Sequence, residues 1–277
     1  MELSILHFIQ RFATPLLDNV FLAITVLGEP VAILVPILVI YYCYNKKMGL
    51  FLAFSSLTSQ GVNAGIKALV GRGRPIGQPG VRSLRTQTAG GSSMPSGHTQ
   101  GAVTLLYSIY KFVKQKSMLA VAVVIGVAVA LSRLYLGLHW PTDVVAGFLL
   151  AMLVSEVCYR LFITTKRPWL LFTVAAAALF LLAWPTKGSA AFYKLTGAFV
   201  GLAAGAWFED AAVRFTCETS LLKKLARVLL GALLLWLLDW GLSLVLPQTA
   251  VGGALRYGTM VFAAVGFIPL LFKKMRL

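Results

Sequence analysis

The sequence predicts an all-α, polytopic membrane protein, from its composition and from the grouping of its apolar residues. Of the 277 residues, 58% are hydrophobic and only 12% are charged. A soluble domain of this size carries about 25% charged residues. The apolar residues also form long blocks without alternation, as helices surrounded by lipid require. We therefore expect a bundle of membrane-spanning helices.

Nine apolar blocks predict membrane-spanning helices, because a span needs about 20 mostly apolar residues. The loops between them are short, except for a polar segment over 71–97 that is rich in Gly, Ser, Pro and Arg. The predicted helices cover 30–45, 49–70, 98–113, 118–138, 142–162, 168–185, 190–208, 225–246 and 254–273.

The N-terminal segment over 1–29 admits two interpretations. Apolar residues at positions 3, 5, 6, 9 and 12 give one amphipathic helical face. His7, Arg11 and Asp18 interrupt the segment, as does the pair Thr14-Pro15. We favour two short amphipathic helices that lie at the membrane interface over a true span.

The positive charge of the chain predicts its orientation. The net charge is +16, but the basic residues lie in short clusters between apolar blocks and accompany no nucleic-acid-binding motif, so nucleic acid is not an expected partner. Cytoplasmic loops are enriched in Lys and Arg. One side of the predicted bundle carries 15 of the 25 basic residues. That side, which includes the C-terminus, is expected in the cytoplasm. Arg11 is assigned to neither side, and nine basic residues lie on the opposite side: Lys67, Arg72, Arg74, Arg82, Arg85, Arg133, Lys187, Lys194 and Arg256.

The first polar motif lies where the predicted helix 49–70 ends. Lys67 closes this apolar helix, and Arg74 follows in the sequence KALVGRGRP. Two neighbouring cations form a binding surface for a dianion, and Arg can donate to two of its oxygens at once. The alternative is that both side chains simply extend to the membrane interface. The role of Arg72, a further cation between them, is left open.

The second motif is PSGH, at the start of the predicted helix 98–113. Ser96 has the position of a helix N-cap, and Gly97 and His98 follow in the first turn. The free N–H groups and the positive end of the helix dipole favour an anion there. Gly97 has no side chain to obstruct an oxyanion. Alone, the motif indicates no more than a helix start.

The third motif, SRLYLGLHWPTD, brings three polar side chains to one helix start. Arg133 precedes His139, and Asp143 falls in the first turn of the helix that begins at Pro141. A carboxylate there can accept the Nδ1–H of His139 and leave Nε2 free as a nucleophile. A structural Asp–His pair is the alternative. With the other two motifs, however, the set predicts phosphoryl transfer through a phosphohistidine, without a metal ion or cofactor.

Together the three segments resemble the signature of the type 2 phosphatidic acid phosphatase and vanadium haloperoxidase superfamily: K-x6-R-P, then P-S-G-H, then S-R-x5-H-x3-D. The resemblance implies that His139 attacks phosphorus, oriented by Asp143, and that His98 protonates the leaving alcohol. The expected ligand is phosphate, or vanadate in its place. Under this resemblance the phosphate-binding residues are Lys67, Arg74, Ser96, Gly97 and Arg133.

The resemblance further implies a membrane phosphatase core over 30–165, followed by four additional helices over 166–277. The stretch YYCYNKKMG and these added helices resemble, more loosely, the sphingosine-1-phosphate phosphatase-like branch. The expected activity is hydrolysis of a lipid phosphate monoester or diphosphate at the extracytoplasmic face of the cell membrane. Two alternatives stay open: a phosphatase of a soluble sugar phosphate, similar to glucose-6-phosphatase, and a lipid binder or scramblase without catalysis. The sequence does not predict an oligomeric state.

Overall fold

The computed structural model describes residues 1–183 and 190–277, and these residues form helices and loops without a β-strand. The all-α prediction is confirmed. Lys187 and the predicted end of the helix 168–185 lie outside the described residues. The helices are α1 Glu2–Gln10, α2 Pro15–Val26, α3 Pro30–Cys43, α4 Lys46–Val70, α5 Gly97–Val113, α6 Lys116–Tyr135, α7 Pro141–Thr164, α8 Pro168–Ala183, α9 Ala190–Phe208, α10 Leu221–Val245, α11 Ala250–Phe262 and α12 Ile268–Lys274.

A helix lies at each of the nine predicted positions, but nine membrane spans are not confirmed. Among the described residues, four helical stretches are long and apolar enough to cross a membrane: α6, α7, α10 and the run Ala250–Lys274. The pair α2 and α3, bent by 46°, is a candidate fifth span. Both α3, with 14 residues, and α5, with 17, fall short of about 20 residues. The longer α4 is interrupted by buried polar residues such as Ser55, Ser59 and Asn63.

The chain forms two compact units. One unit comprises Met1–Leu34 and Val62–Tyr159, and the other comprises Val35–Gly61 and Arg160–Leu277. All three sequence motifs belong to the first unit. The predicted subdivision into 1–29, 30–165 and 166–277 stays a prediction.

The N-terminal segment of the first unit forms two short helices that pack on α6. Leu6 of α1 is fully buried against Leu134 and Val144. The Gln10 side chain donates to the carbonyls of Arg82 (2.7 Å) and Tyr135 (2.8 Å), and it accepts from the Arg82 amide. These bonds fasten α1 to both the 71–97 loop and the end of α6.

Glycines set the packing of α9 and α11 in the second unit. A Cβ atom at Gly197 would lie 2.0 Å from the carbonyl oxygen of Ala254, and one at Gly201 would lie 2.1 Å from that of Gly258. The two backbones can approach this closely only because these residues lack side chains. In the same unit Asp239 of α10 accepts two bonds of 2.7 Å from Arg256 of α11. This pair gives Asp239 a basic partner on a neighbouring helix.

Candidate active site

The first motif, KALVGRGRP, begins in the last turn of α4 and continues into the loop that follows. Lys67 lies in the last turn of the helix, which stops at Val70. Gly71 follows with a φ angle of +60°, a left-handed conformation that glycine adopts at low cost. Because the helix ends there, Arg74 belongs to the loop and its side chain can turn back toward the helix ends.

Arg74 joins the 71–97 loop to the segment that carries His139. Its guanidinium donates to the carbonyls of Gly90 (2.8 Å), Gly91 (3.1 Å) and Leu138 (2.9 Å). The Nη1 atom also lies 3.1 Å from Nε2 of His139. These contacts place a cation directly beside Nε2 of His139, the atom predicted to attack phosphorus.

The PSGH motif begins α5 as predicted, although Ser96 does not cap the helix with its hydroxyl group. The Ser96 side chain instead accepts a bond of 3.1 Å from the Thr99 hydroxyl, and its amide donates to the carbonyl of Asp143 at 2.9 Å. The first amides of a helix have no partner within it. The helix start is therefore held against α7 while its next N–H groups stay available to an anion.

Gly97 faces the amine of Lys67. A Cβ atom at position 97 would lie 3.9 Å from Nζ of Lys67 and 3.7 Å from Oδ1 of Asn63. The space in front of Gly97 is therefore bordered by a cation and a helix N-terminus, both of which attract anions.

Asn63 supports this region and was not singled out from the sequence. Its amide nitrogen donates to the carbonyl of Pro95 (3.3 Å) and to Oε1 of Gln100 (2.8 Å). Asn63 precedes Lys67 by one helical turn, so it fixes the PSGH segment next to the lysine. A polar amide one turn before Lys67, within a predicted membrane helix, was the signal that could have revealed it.

His98 has an imidazole nitrogen that no protein group satisfies. Within the described residues, its Nε2 atom is buried and has no hydrogen-bond partner. The charged or titratable groups around it include Arg133, His139 and Lys67. Gly28 packs against its backbone: a Cβ atom at position 28 would lie 2.7 Å from Cβ of His98. The loop after α2 therefore forms one wall of the site.

Arg133 is a buried cation, with an exposed fraction of 0%. Its Nη1 atom donates to the Thr25 hydroxyl at 2.8 Å. In the described part of the chain, its Nε and Nη2 atoms are buried without a partner. A buried charge without a counter-charge costs several kcal/mol. The two unused donors are therefore suited to an anionic ligand.

The ring orientation of His139 follows from its two neighbours. Asp143 Oδ2 lies 3.4 Å from Nδ1, and an arginine donor lies beside Nε2. Because arginine cannot accept a hydrogen bond, Nε2 carries the lone pair and Nδ1 carries the proton. Asp143 is fixed in turn by the Trp140 amide, which donates to Oδ2 at 2.8 Å. This is the tautomer predicted from the spacing of the third motif.

Burial and neighbouring cations keep His139 neutral. Burial, and to a smaller extent Arg133 and Arg74, lower the pKa of His139 to about 4, against the opposing effect of Asp143. The imidazole is therefore unprotonated at neutral pH, as a nucleophile must be.

Arg72, whose role the sequence left open, lies on the far side of Asp143 from the histidine. Its Nη1 atom donates to Oδ1 of Asp143 (2.9 Å) and to the Thr142 hydroxyl (2.5 Å). Its Nη2 atom donates to Glu2 of α1. The three motifs thus meet at one site, to which α1 and the end of α2 also contribute. Within the described chain, no three His, Cys, Asp or Glu side chains are grouped as metal ligands.

Comparison with known proteins identifies the family. The PAP2 superfamily model matches residues 48–167, and a model described as the transmembrane extension of PAP2 superfamily phosphatases matches residues 193–277. Phosphatidylglycerophosphatase B of Bacillus subtilis is 34% identical over 154 residues, which cover 50% of this chain and 72% of that protein. The chain belongs to the PAP2 superfamily.

A second PAP2-type relative is the undecaprenyl-diphosphatase of Sulfolobus acidocaldarius, 32% identical over 131 residues. The match covers 46% of this chain and 61% of that protein, less than two thirds of its length. Among solved structures, that of LpxE from Aquifex aeolicus superposes with a TM-score of 0.51 at 22% identity, covering 57% of this chain and 94% of the other. This likeness shows a shared fold.

Proposed function

We propose that this PAP2 superfamily protein hydrolyses a lipid phosphate monoester or diphosphate through a covalent phosphohistidine at His139. The observation that carries the proposal is the state of the imidazole. The lone pair of Nε2 lies on the side of the ring that faces the Arg74 guanidinium, 3.1 Å away, while Nδ1–H faces Asp143 at 3.4 Å. Binding alone needs no such nucleophile, so the arrangement favours an enzyme over a lipid binder or scramblase.

In the first step Nε2 of His139 forms a bond to phosphorus as the bond from phosphorus to the leaving oxygen breaks. His98, which takes up a proton when the phosphate anion offsets the surrounding cations, donates that proton to the leaving oxygen, so the leaving group departs as an alcohol or as a lipid phosphate. Lys67, Arg74 and Arg133 offset the charge on the equatorial oxygens. The free N–H groups at the start of α5, around Gly97, also stabilise this charge.

In the second step water replaces the histidine. His98, now neutral, removes a proton from the water as its oxygen bonds to phosphorus and the bond from phosphorus to Nε2 breaks. Inorganic phosphate leaves, and both histidines return to their starting states. One acid–base residue suffices because the second step reverses the proton transfer of the first.

A lipid substrate is favoured by the setting of the site and by the relatives. The motifs lie at the ends of apolar helices, and the relatives described above carry the names of phosphatases for phosphatidylglycerophosphate and undecaprenyl diphosphate. The site needs only a phosphoryl group and a leaving oxygen, so a soluble sugar phosphate is the competing substrate class.

A phosphate-release screen separates the two classes. The purified protein in detergent is given phosphatidic acid, phosphatidylglycerophosphate, undecaprenyl diphosphate and glucose 6-phosphate at equal concentrations, with heat-inactivated protein as the blank. We expect kcat/KM for at least one lipid to exceed that for the sugar phosphate. A preference for glucose 6-phosphate would overturn the lipid assignment. No release from any compound would overturn the phosphatase proposal.

Vanadate is expected to inhibit and EDTA to have no effect. Vanadate can take up the trigonal-bipyramidal geometry of the phosphorus under attack at Nε2, and transition-state analogues bind at least about 100-fold more tightly than substrates. The proposed site holds phosphate with cations and amides, so a chelator has nothing essential to remove. The measurement is phosphate release with and without each compound. Full activity in millimolar vanadate, or loss of activity in EDTA, would contradict the proposed chemistry.

The active site is proposed to face outward and the C-terminus inward, because basic loops are retained in the cytoplasm. In a variant whose native cysteines are replaced by serine, Gln78→Cys lies on the 71–97 loop and Lys116→Cys lies at the start of α6, just beyond the far end of α5. A membrane-impermeant maleimide added to intact cells should label the first and reach the second only after permeabilisation. The reverse pattern would invert the topology.

A further inference from the structure

We propose that Arg72, held in place by Glu2 of the N-terminal helix, is a positioning residue that sets the orientation of Asp143 toward His139. This inference rests on the proposed function, since it concerns the same nucleophile. Arg72 lies within the variable part of the first motif, and Glu2 is 70 residues away in the sequence. Neither belongs to the three motif patterns.

Arg72 contacts the Asp143 carboxylate at the oxygen that does not face His139. The Asp143 side chain is fully buried and has two oxygens with different tasks. Oδ2 faces Nδ1 of His139 and accepts from the Trp140 amide, while Oδ1 accepts from Nη1 of Arg72 at 2.9 Å. The torsion of an aspartate carboxylate is broad and roughly two-fold. A fixed donor on Oδ1 is therefore needed to keep Oδ2 directed at the imidazole.

Glu2 holds the guanidinium in that position. One of its oxygens accepts from Nη2 of Arg72, and the other accepts from the amide (3.1 Å) and the hydroxyl (2.7 Å) of Thr142. The guanidinium also lies over the Trp140 ring, with its carbon 5.5 Å from the centroid. Glu2 thus bonds to Arg72 and to the first turn of α7 at once. It joins α1 to the helix start that carries Asp143.

The geometry requires arginine rather than any cation. Arg72 donates simultaneously to Asp143, Thr142 and Glu2 through two nitrogens. A lysine amine is a compact charge that lacks the planar fork needed to span these acceptors. Arg72→Lys should consequently retain the charge but lose part of the alignment.

The decisive experiment measures kcat and KM for Arg72→Gln, Arg72→Lys, Glu2→Gln and the double variant Arg72→Gln/Glu2→Gln. The probe is phosphatidylglycerophosphate in detergent micelles, or undecaprenyl diphosphate if wild type prefers it. Losing a hydrogen bond to a charged group should lower kcat about 10- to 100-fold in Arg72→Gln. KM should change less than about threefold, because Arg72 does not touch the phosphoryl group. Arg72→Lys should fall between this variant and wild type.

The double variant tests whether Glu2 acts through Arg72. Residues in one hydrogen-bond network have non-additive effects. Adding Glu2→Gln to Arg72→Gln should therefore reduce kcat no further, although Glu2→Gln alone reduces it. Additive losses in kcat would overturn the link between the two residues.

A matched control separates positioning from the docking of α1. Gln10→Ala removes the bonds from α1 to Arg82 and Tyr135 without touching Arg72. It should lower the melting temperature and leave the pH profile of kcat/KM unchanged. Arg72→Gln should move the acid limb of that profile to higher pH. His139 is surrounded by Arg74, Arg133, His98 and Asp143, and removing the nearby Arg72 cation makes the electrostatic potential at the imidazole less positive. A less positive potential raises the pKa of His139.

The outcomes distinguish this inference from the proposed function. If wild type releases phosphate and His139→Ala does not, but Arg72→Gln keeps the wild-type kcat and pH profile, the positioning role is wrong and the phosphatase proposal stands. If wild type and all variants release no phosphate, the proposed function itself is wrong. If Gln10→Ala shifts the pH profile as Arg72→Gln does, the effect arises from loosening of α1 and the specific role of Arg72 is wrong.

Discussion

Replacing His139 with alanine should abolish phosphate release from every lipid that the wild type hydrolyses, with a fall in kcat of about 10³-fold or more. Removing the nucleophile of a comparable covalent enzyme costs about 10⁶-fold in kcat, and binding and charge stabilisation account for what remains. The effect should be large here because His139 supplies the bond-forming electron pair. Phosphate release under saturating lipid is the measurement.

The remaining histidine outside the site provides the control. His7 lies on α1, where its Nε2 atom lies 3.0 Å from the carbonyl oxygen of Pro79. His7→Ala should retain activity within about threefold, since a surface hydrogen bond contributes about 1 kcal/mol or less. A phosphorylated, acid-labile intermediate should be trapped in wild type and be absent from His139→Ala. Unchanged activity of His139→Ala would show that phosphorus is attacked by another group.

Replacing Asp143 with asparagine should lower kcat by about 10²- to 10⁴-fold. The equivalent change in a serine protease triad costs about 10⁴-fold because the imidazole adopts the wrong tautomer. In this site an amide N–H directed at Nδ1 would move the ring proton to Nε2 and occupy the attacking lone pair. The same change removes the acceptor for Arg72, which would then be held by Glu2 and Thr142 alone.

A second aspartate offers a matched control for the loss of an arginine pair. Asp239 accepts two bonds of 2.7 Å from Arg256, in the other compact unit. Asp239→Asn should leave kcat within about threefold, because exposed ion pairs contribute at most about 1 kcal/mol. An equal loss of activity in both variants would mean that Asp143 acts only through its ion pair and not through His139.

The sequence predicted which motif residues lie near helix ends better than it predicted the contacts that hold those residues in place. The motif spacings predicted that Lys67, His98, His139 and Asp143 lie near helix ends. Helix ends depend on neighbouring residues in the sequence: Gly71 follows the end of α4, and Pro141 begins α7. The tautomer of His139 followed from an i,i+4 relation to Asp143, which is itself local. No such rule connects Glu2 with Arg72 or Thr25 with Arg133, because these pairs depend on how α1 and α2 pack.

Two further differences have physical causes. Ser96 precedes α5 without capping it through its hydroxyl group. That hydroxyl accepts a hydrogen bond from the Thr99 hydroxyl, and the Ser96 amide donates to the carbonyl of Asp143 in a neighbouring helix. The predicted count of nine spans is not confirmed, because apolar blocks reveal where helices form but not whether each reaches across the bilayer. The buried serines and Asn63 on α4 show that a helix can be enclosed by its own protein rather than by lipid.

Thr25 and Gly28 form part of the site wall, and this has a practical consequence for the design of shortened variants. The PAP2 superfamily model matches from residue 48 onward, yet Arg133 and His98 contact residues that precede that point. A shortened protein that starts at the similarity boundary would expose the Arg133 cation and lose the surface behind His98. The smallest active polypeptide should therefore be longer at its N-terminus than the region by which relatives are recognised, and affinity tags belong at the other end.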